Sequence, residues 1–204
     1  MKAYTVIPLG VLLSDEFDRS KIEQSFEKFS CQREVDLENF LLRKAIPYEK
    51  TNFGKTYLLI DLASLEQGIF SVMAYYTIAQ KAIDISELSA KRKRKMLGDY
   101  PGRDSLKTIP AYLIGQLGRN DAYTSEDISG EQILNECYNS ISIAAQVVGG
   151  NIVILECRER MFERVYENKG FHKLYDDLNQ ESLYTLYKKV DFTEYWNRYH
   201  EEDS

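Results

Sequence analysis

The sequence predicts an α/β fold, a mixed sheet flanked by helices. Three observations carry this. Short apolar, β-rich runs alternate with stripes of helical period along the chain. Two of the runs, Tyr57–Ile60 and residues 69–79, are joined through the turn Glu66-Gln67-Gly68, which makes them an antiparallel hairpin. A long helical stripe over about 130–148 stands between a strand opened by Pro110 and the strand Ile152-Val153-Ile154-Leu155; strands joined by a helix pair in parallel.

Taken in order, residues 3–9 read as a strand. Leu37, Phe40, Leu41, Lys44 and Ala45 fall at i, i+3, i+4, i+7 and i+8, one face of a helix. The hairpin follows. Residues 86–108 are polar and basic, a loop or short helix, and Pro110 opens a strand through Gln116 and Leu117. Ile133, Leu134, Cys137, Tyr138, Ile141, Ala144, Ala145 and Val148 form the long stripe, stopped by Gly149-Gly150. After the strand at 152–155, Met161, Phe162, Val165 and Tyr166 mark one face of a further helix that Gly170 ends. Residues 182–190 read as the last strand, and an acidic, aromatic tail occupies 191–204.

Composition narrows the classes. The 204 residues are 44% apolar and 28% charged, values of a chain that buries a full core, which excludes a disordered or fibrous protein. Lys+Arg against Asp+Glu is 26 − 32 = −6, so a general nucleic-acid coat is excluded and any grip on RNA must be local. Cys31, Cys137 and Cys157 are widely spaced, odd in number and form no CxxC; with only His172 and His200, no metal site is expected, and a reducing cytoplasm fits. The apolar start, Ala3 to Leu13, contains Pro8 and Gly10 and lacks a small-x-small cleavage site, so it reads as strand and turn rather than a signal peptide. No run approaches the ~18 residues needed to span a membrane.

Four motifs occur in sequence. Phe29-Ser30-Cys31 precedes Leu37-Glu38-Asn39-Phe40-Leu41; Tyr75-Tyr76-Thr77-Ile78-Ala79 lies in the hairpin; Ile109-Pro110-Ala111-Tyr112-Leu113-Ile114-Gly115-Gln116-Leu117 opens the next strand; Val165-Tyr166-Glu167-Asn168-Lys169-Gly170-Phe171 closes the last helix. In this order and spacing they resemble the GNAT superfamily of N-acetyltransferases, in particular the toxin-type acetyltransferases of bacterial toxin–antitoxin modules. The matching patterns there are F-x-C…L-x-x-W/F-L, G-Y-Y-T-L-A (with Ala74 here in place of the glycine), V-P-x-x-L-L-G-R-L and F-Y-E-x-x-G-F. The resemblance covers roughly residues 26–190. It implies a GNAT-like acetyltransferase domain over 1–190 and leaves 191–204 as the tail.

The resemblance implies acetyl transfer from acetyl-CoA to a primary amine, the α-amine of an aminoacyl-tRNA in the toxin-type branch, with an antitoxin as partner. By position, Leu117, Gly118 and Arg119 would be the splayed strand end that offers backbone groups to the cofactor's pantetheine arm. Ser129, Gly130, Glu131 and Gln132 would be the turn whose amides, at a helix N-terminus, meet the pyrophosphate. Tyr166 would be the general acid for the departing thiolate.

That turn departs from the family pattern R/Q-x-x-G-x-G/A. Only Gly130 is kept; Asp127 stands in place of the basic or amide residue and Gln132 in place of the last small one. From Asn120 to Cys157 there is no Lys or Arg, against Asp121, Glu126, Asp127, Glu131, Glu136 and Glu156. Two like charges about 5 Å apart at an effective dielectric near 20 repel by roughly 3 kcal/mol before screening, whereas a helix N-terminus attracts an anion by only ~0.3–2 kcal/mol. Acids there are also ordinary helix caps. The alternative reading is therefore a GNAT-shaped protein that does not bind acetyl-CoA and acts as a protein- or nucleic-acid-binding module.

Lys91-Arg92-Lys93-Arg94-Lys95 is a run of five cations in this acidic chain. Such a run is ordinarily a solvated helix face. In the loop where the toxin-type enzymes carry basic residues toward tRNA, it is also a candidate contact for RNA or another polyanion, extended by Arg103, Lys107 and Arg119, with Tyr100 to stack on a base. Tyr195, Trp196 and Tyr199 are spaced like one helix face, which would dock on the body or on a second subunit of a homodimer.

Overall fold

A computed structural model of the chain describes residues 1–14 and 18–201, with side chains up to Asn197. The described strands are β1 (Tyr4–Pro8), β2 (Lys55–Asp61), β3 (Val72–Asp84), β4 (Thr108–Arg119), β5 (Ile152–Cys157), β6 (His172–Lys173) and β7 (Tyr184–Lys189). The helices are α1 (Leu9–Leu12), α2 (Arg19–Glu27), α3 (Val35–Arg43), α4 (Ala45–Lys50), α5 (Leu62–Glu66), α6 (Ala90–Leu97), α7 (Gly130–Val148), α8 (Glu159–Met161) and α9 (Phe192–Glu201). The sheet is mixed, in the order β1-β2-β3-β4-β5-β7-β6. The chain divides into two compact units, Met1–Ala79 with Gly115–Ser140, and Gln80–Ile114 with Ile141–Ser204.

In the first unit β1 pairs antiparallel with β2 (Tyr4 opposite Asp61) and β2 antiparallel with β3 (Lys55 opposite Ile78), as the hairpin requires. The connection is not a tight turn. Asp61 accepts the amides of Ala63 and Ser64, caps α5, and delays β3 to Val72. The stripe at 37–45 is two helices, broken at Lys44. Pro47 explains the break: a continuous helix would need its missing N–H, whereas a restart at Ala45 places it in a first turn, where no helical acceptor is due. The core gathers Leu9, Leu12, Phe26, Phe29, Phe40 and Leu41 around Tyr75 of β3. The Tyr75 ring meets Phe29 edge-on at 5.3 Å, and its hydroxyl donates to the Leu37 carbonyl at 2.7 Å.

In the second unit β4 and β5 are parallel, Tyr112–Ile114 facing Val153–Leu155, as a helical crossover demands. β7 runs antiparallel to β5, and the short β6 pairs antiparallel with β7. Ile83, Ile85, Met96, Ile109, Ile154 and Leu174 lie at the heart of its core. α7 spans 130–148 as the stripe predicts, and Gly149 and Gly150, at φ 75° and 94°, turn the chain out of it. The polar segment 86–108 contains α6. In the tail, α9 places Phe192 in a buried position and Tyr195 and Trp196 in half-buried ones; the side chain of Tyr199 lies outside the described residues.

Candidate functional site

The residues expected at a cofactor lie together in the first unit, at the corner where β4 leads to α7. β4 outlasts its register with β5 by five residues, Gly115 to Arg119. A Cβ at Gly118 would fall 2.6 Å from Leu37 Cδ1, so close packing on α3 requires glycine there. Asn120, buried, ends the strand: its amide donates to Met73 O at 2.8 Å and its Nδ2 to Val72 O at 3.0 Å. Arg119 does not reach into solvent as a free cation. Its Nη1 donates to Ile128 O at 3.0 Å and ties the strand end to the turn before α7.

That turn is a closed capping box. Ser129 Oγ accepts the Gln132 amide at 3.2 Å, and Gln132 Oε1 accepts the Ser129 amide at 2.9 Å. The non-glycine residue at 132 thus has a role: it caps the helix, and the box occupies two of the amides that a phosphate would use. Gly130 heads the helix with nothing within 4 Å of where a Cβ would stand, so a ligand can approach its backbone closely. The acids around it are engaged as acceptors. Asp127 takes the Thr124 amide at 2.8 Å and hydroxyl at 3.0 Å, and that amide, then the hydroxyl, lowers its pKa. Asp121 takes the Gln32 amide at 2.7 Å and Glu136 the Tyr4 hydroxyl at 2.8 Å. A donor set of amides at the head of a 19-residue helix, open at Gly130, fits one phosphate group; the capping box and the carboxylates of Asp127 and Glu131 weaken it.

Tyr166 lies in the second unit. α8 passes into a π-helical turn, Phe162–Tyr166, and a 3₁₀ turn, Glu167–Lys169, before Gly170 at φ 78° reverses the chain. Such π turns recur at functional sites. Tyr166 is half-buried; its ring stands edge-on to fully buried Phe171 at 5.4 Å, and its carbonyl accepts the Phe171 amide at 3.0 Å. The Y-E-x-x-G-F spacing therefore has a structural sense: glycine makes the reversal and phenylalanine comes back to seat the tyrosine.

The basic run forms α6 and separates into three roles. Lys93 is 5% exposed; its Nζ donates to Asp104 O at 3.2 Å and Leu106 O at 2.7 Å, pinning the following loop, so it is unavailable to a phosphate. Arg92 pairs with Asp176. Lys91, Arg94 and Lys95 are exposed, as are Lys107 and Tyr100, while Arg103 donates to Gly98 O at 2.6 Å. The three cysteines are buried and free. The sequence reading assigned no role to Lys173, nor to His172 beyond discounting a metal site. Both stand on β6 beside Arg92 and Lys95 at one cavity; a two-residue strand has no periodicity by which to find it. Among the described residues no helix is long and apolar enough to cross a membrane.

No family model and no curated protein matches the chain. Solved structures do. AtaT in complex with acetyl-methionyl-tRNAfMet superposes with a TM-score of 0.67 at 20% identity, over 94% of this chain and 98% of that one. A mutant of KacT with one tyrosine changed to phenylalanine gives 0.69 at 17% identity, over 96% and 99%. An AtaT mutant of the same kind, a toxin bound to the C-terminus of the antitoxin AtaR and to acetyl-CoA, gives 0.63 at 17% identity, over 96% and 98%. Likeness over nearly the whole of both chains at this identity is a likeness of fold, and the protein therefore has the GNAT-type α/β fold of these toxins, the fold that its sequence motifs resemble.

Proposed function

We propose that the protein is an N-acetyltransferase that moves an acetyl group from acetyl-CoA to a primary amine, the α-amine of an aminoacyl-tRNA, and that an antitoxin is its partner. The observation that carries the reading is Tyr166 at the close of a π-helical turn, seated on Phe171, in a chain whose fold matches that of a toxin bound to an acetylated tRNA. Acetyl-CoA supplies an activated acetyl thioester: the amine nitrogen forms the new C–N bond as the C–S bond breaks, and the amine's surplus proton passes to solvent. Tyr166 Oη holds the proton that the departing sulfur takes. Leu117, Gly118 and Arg119 present the strand end, and Ser129 to Gln132 the helix head, with the Gly130 amide toward the pyrophosphate. The exposed cations of α6, Lys91, Arg94 and Lys95, meet the phosphates of the acceptor RNA.

The capping box favours a second reading, a binding module of the same fold with no use for acetyl-CoA. Calorimetric titration of the protein with acetyl-CoA separates the two. The acetyltransferase reading expects a heat of binding and a raised melting temperature, since only the folded state binds; neither effect at millimolar acetyl-CoA overturns it and leaves the binding module.

A further inference from the structure

A cavity of about 250 Å³ lies within the second unit, among α6, the turn that carries Tyr166, and β6 and β7. The aromatic side chains of Phe162, Phe171 and Tyr187 line it together with basic ones. Arg92 and Lys95, one helical turn apart, reach it from α6; His172 and Lys173 reach it from β6. One carboxylate, Glu167, also lines it.

The guanidinium of Arg92 and the ammonium groups of Lys95 and Lys173 around one small volume repel one another, and weak contacts at the edge offset only part of this. Lys173 is held over aromatic faces, its Nζ 3.6 Å from the Tyr184 ring centroid and 5.0 Å from that of Phe162. Arg92 is paired with Asp176, whose side chain is 76% exposed; such rim pairs are weak and are readily shared with an incoming anion. Burial first, and then the field of Lys95, lower the pKa of His172. Convergence of a guanidinium and two ammonium groups calls for a compact anion of more than one charge, with several acceptor oxygens. A carboxylate supplies one charge and two oxygens; a terminal phosphate supplies nearly two charges and three oxygens.

We propose that this cavity binds a terminal phosphate group, held by Arg92, Lys95 and Lys173 with His172 as a further donor. A cavity of about 250 Å³ has the size for one phosphate group and its neighbouring atoms, which suits the end of a strand. The phosphate belongs either to the 5′ end of an RNA or to a free nucleotide. Acetyl transfer is not needed for this site, which lies within one unit.

The test uses the full chain and three probes: a short RNA with a 5′-phosphate, the same RNA with a 5′-hydroxyl, and adenosine monophosphate. An RNA source predicts that the phosphorylated RNA binds about tenfold tighter than its hydroxyl twin in an anisotropy titration, with the advantage lost in the R92Q/K95Q double variant. A nucleotide source predicts equal RNA affinities, together with a His172 imidazole NMR resonance that moves on adding the nucleotide and stays still in the double variant. K95E serves as a second variant should the double variant melt early without ligand. Equal RNA affinities with no movement of the His172 resonance at millimolar nucleotide overturn the proposal. That failure leaves the acetyl-CoA titration untouched, so the two readings fail separately.

Discussion

The two units differ in charge. The unit of Met1–Ala79 and Gly115–Ser140 carries 10 Lys and Arg against 16 Asp and Glu, a net of 10 − 16 = −6. The other unit carries 16 of each, a net of zero. The net negative charge of the protein therefore belongs to the unit with the Gly130 turn, whereas the unit with α6 is balanced and places six of its 16 Lys and Arg on α6 and β6. A polyanion meets little long-range repulsion from the balanced unit, while an anion at Gly130 must be held by short-range amide contacts. A net charge of −6 hid this division: the same average describes one self-capped acidic corner and one basic rim.

The largest expected effect tests whether the balanced unit carries the chemistry. Tyr166→Phe keeps the ring on Phe171 and removes only the hydroxyl. Turnover of an acetylation assay should fall ~10²–10⁴-fold while the protein stays folded; an unchanged rate would assign the proton to another group.

Next comes the basic run, which the structure divides. Lys93→Ala leaves the Asp104 and Leu106 carbonyls without their donor, and should lower stability by about 1–3 kcal/mol in denaturant unfolding. Lys91→Ala and Arg94→Ala, on the exposed face, should stay within about 0.5 kcal/mol of the parent. Those two should instead make the salt dependence of tRNA binding shallower, by ~0.7–0.9 for each phosphate no longer neutralised. Equal stability losses at all three positions would erase the division.

The acidic corner predicts a smaller change. Asp127→Asn keeps an oxygen for the Thr124 amide and removes the charge. Acetyl-CoA should then bind about 3–10-fold tighter by calorimetry, with the gain shrinking as salt is added. An unchanged affinity would place the obstacle in the Ser129–Gln132 box, which Gln132→Ala opens.

The smallest effect is a titration shift. Burial first, then Lys95, lowers the pKa of His172 below 6.5, so Lys95→Gln should raise it part of the way back in an NMR titration. Arg92, Lys173, Glu167 and Tyr187 line the same cavity and stay in place. Because the folded value is the lower one, the unfolded chain binds this proton first. The contribution of His172 to stability is present above pH 6.5 and is lost as pH falls through the folded value.

Much of the fold was legible because its signals are local. α7 shows its stripe, Gly149-Gly150 shows its end, and β5 is an unbroken apolar run. α2 was missed because Ile22 and Phe26 are the only large apolar residues it buries, a stripe of two turns. The candidate site residues Tyr166 and Gly130 could be named because a motif carries them; the capping box is also written in the sequence, as Ser129-x-x-Gln132 before Ile133, but there it reads equally as a phosphate turn until the side chains are placed.

By itself the sequence determined the order of the longer strands and helices, though not α2 or β6, together with the parallel β4–β5 pair and the antiparallel hairpin, since periodicity and turn residues act over a few neighbours. Only the tertiary structure decided which of five consecutive cations is buried, that Arg119 is tied to Ile128, and that His172 and Lys173 meet Arg92 and Lys95. Identical charges in one run separate when a helix turns each by about 100° and different neighbours receive them; pairs more than 70 positions apart leave no trace in local pattern.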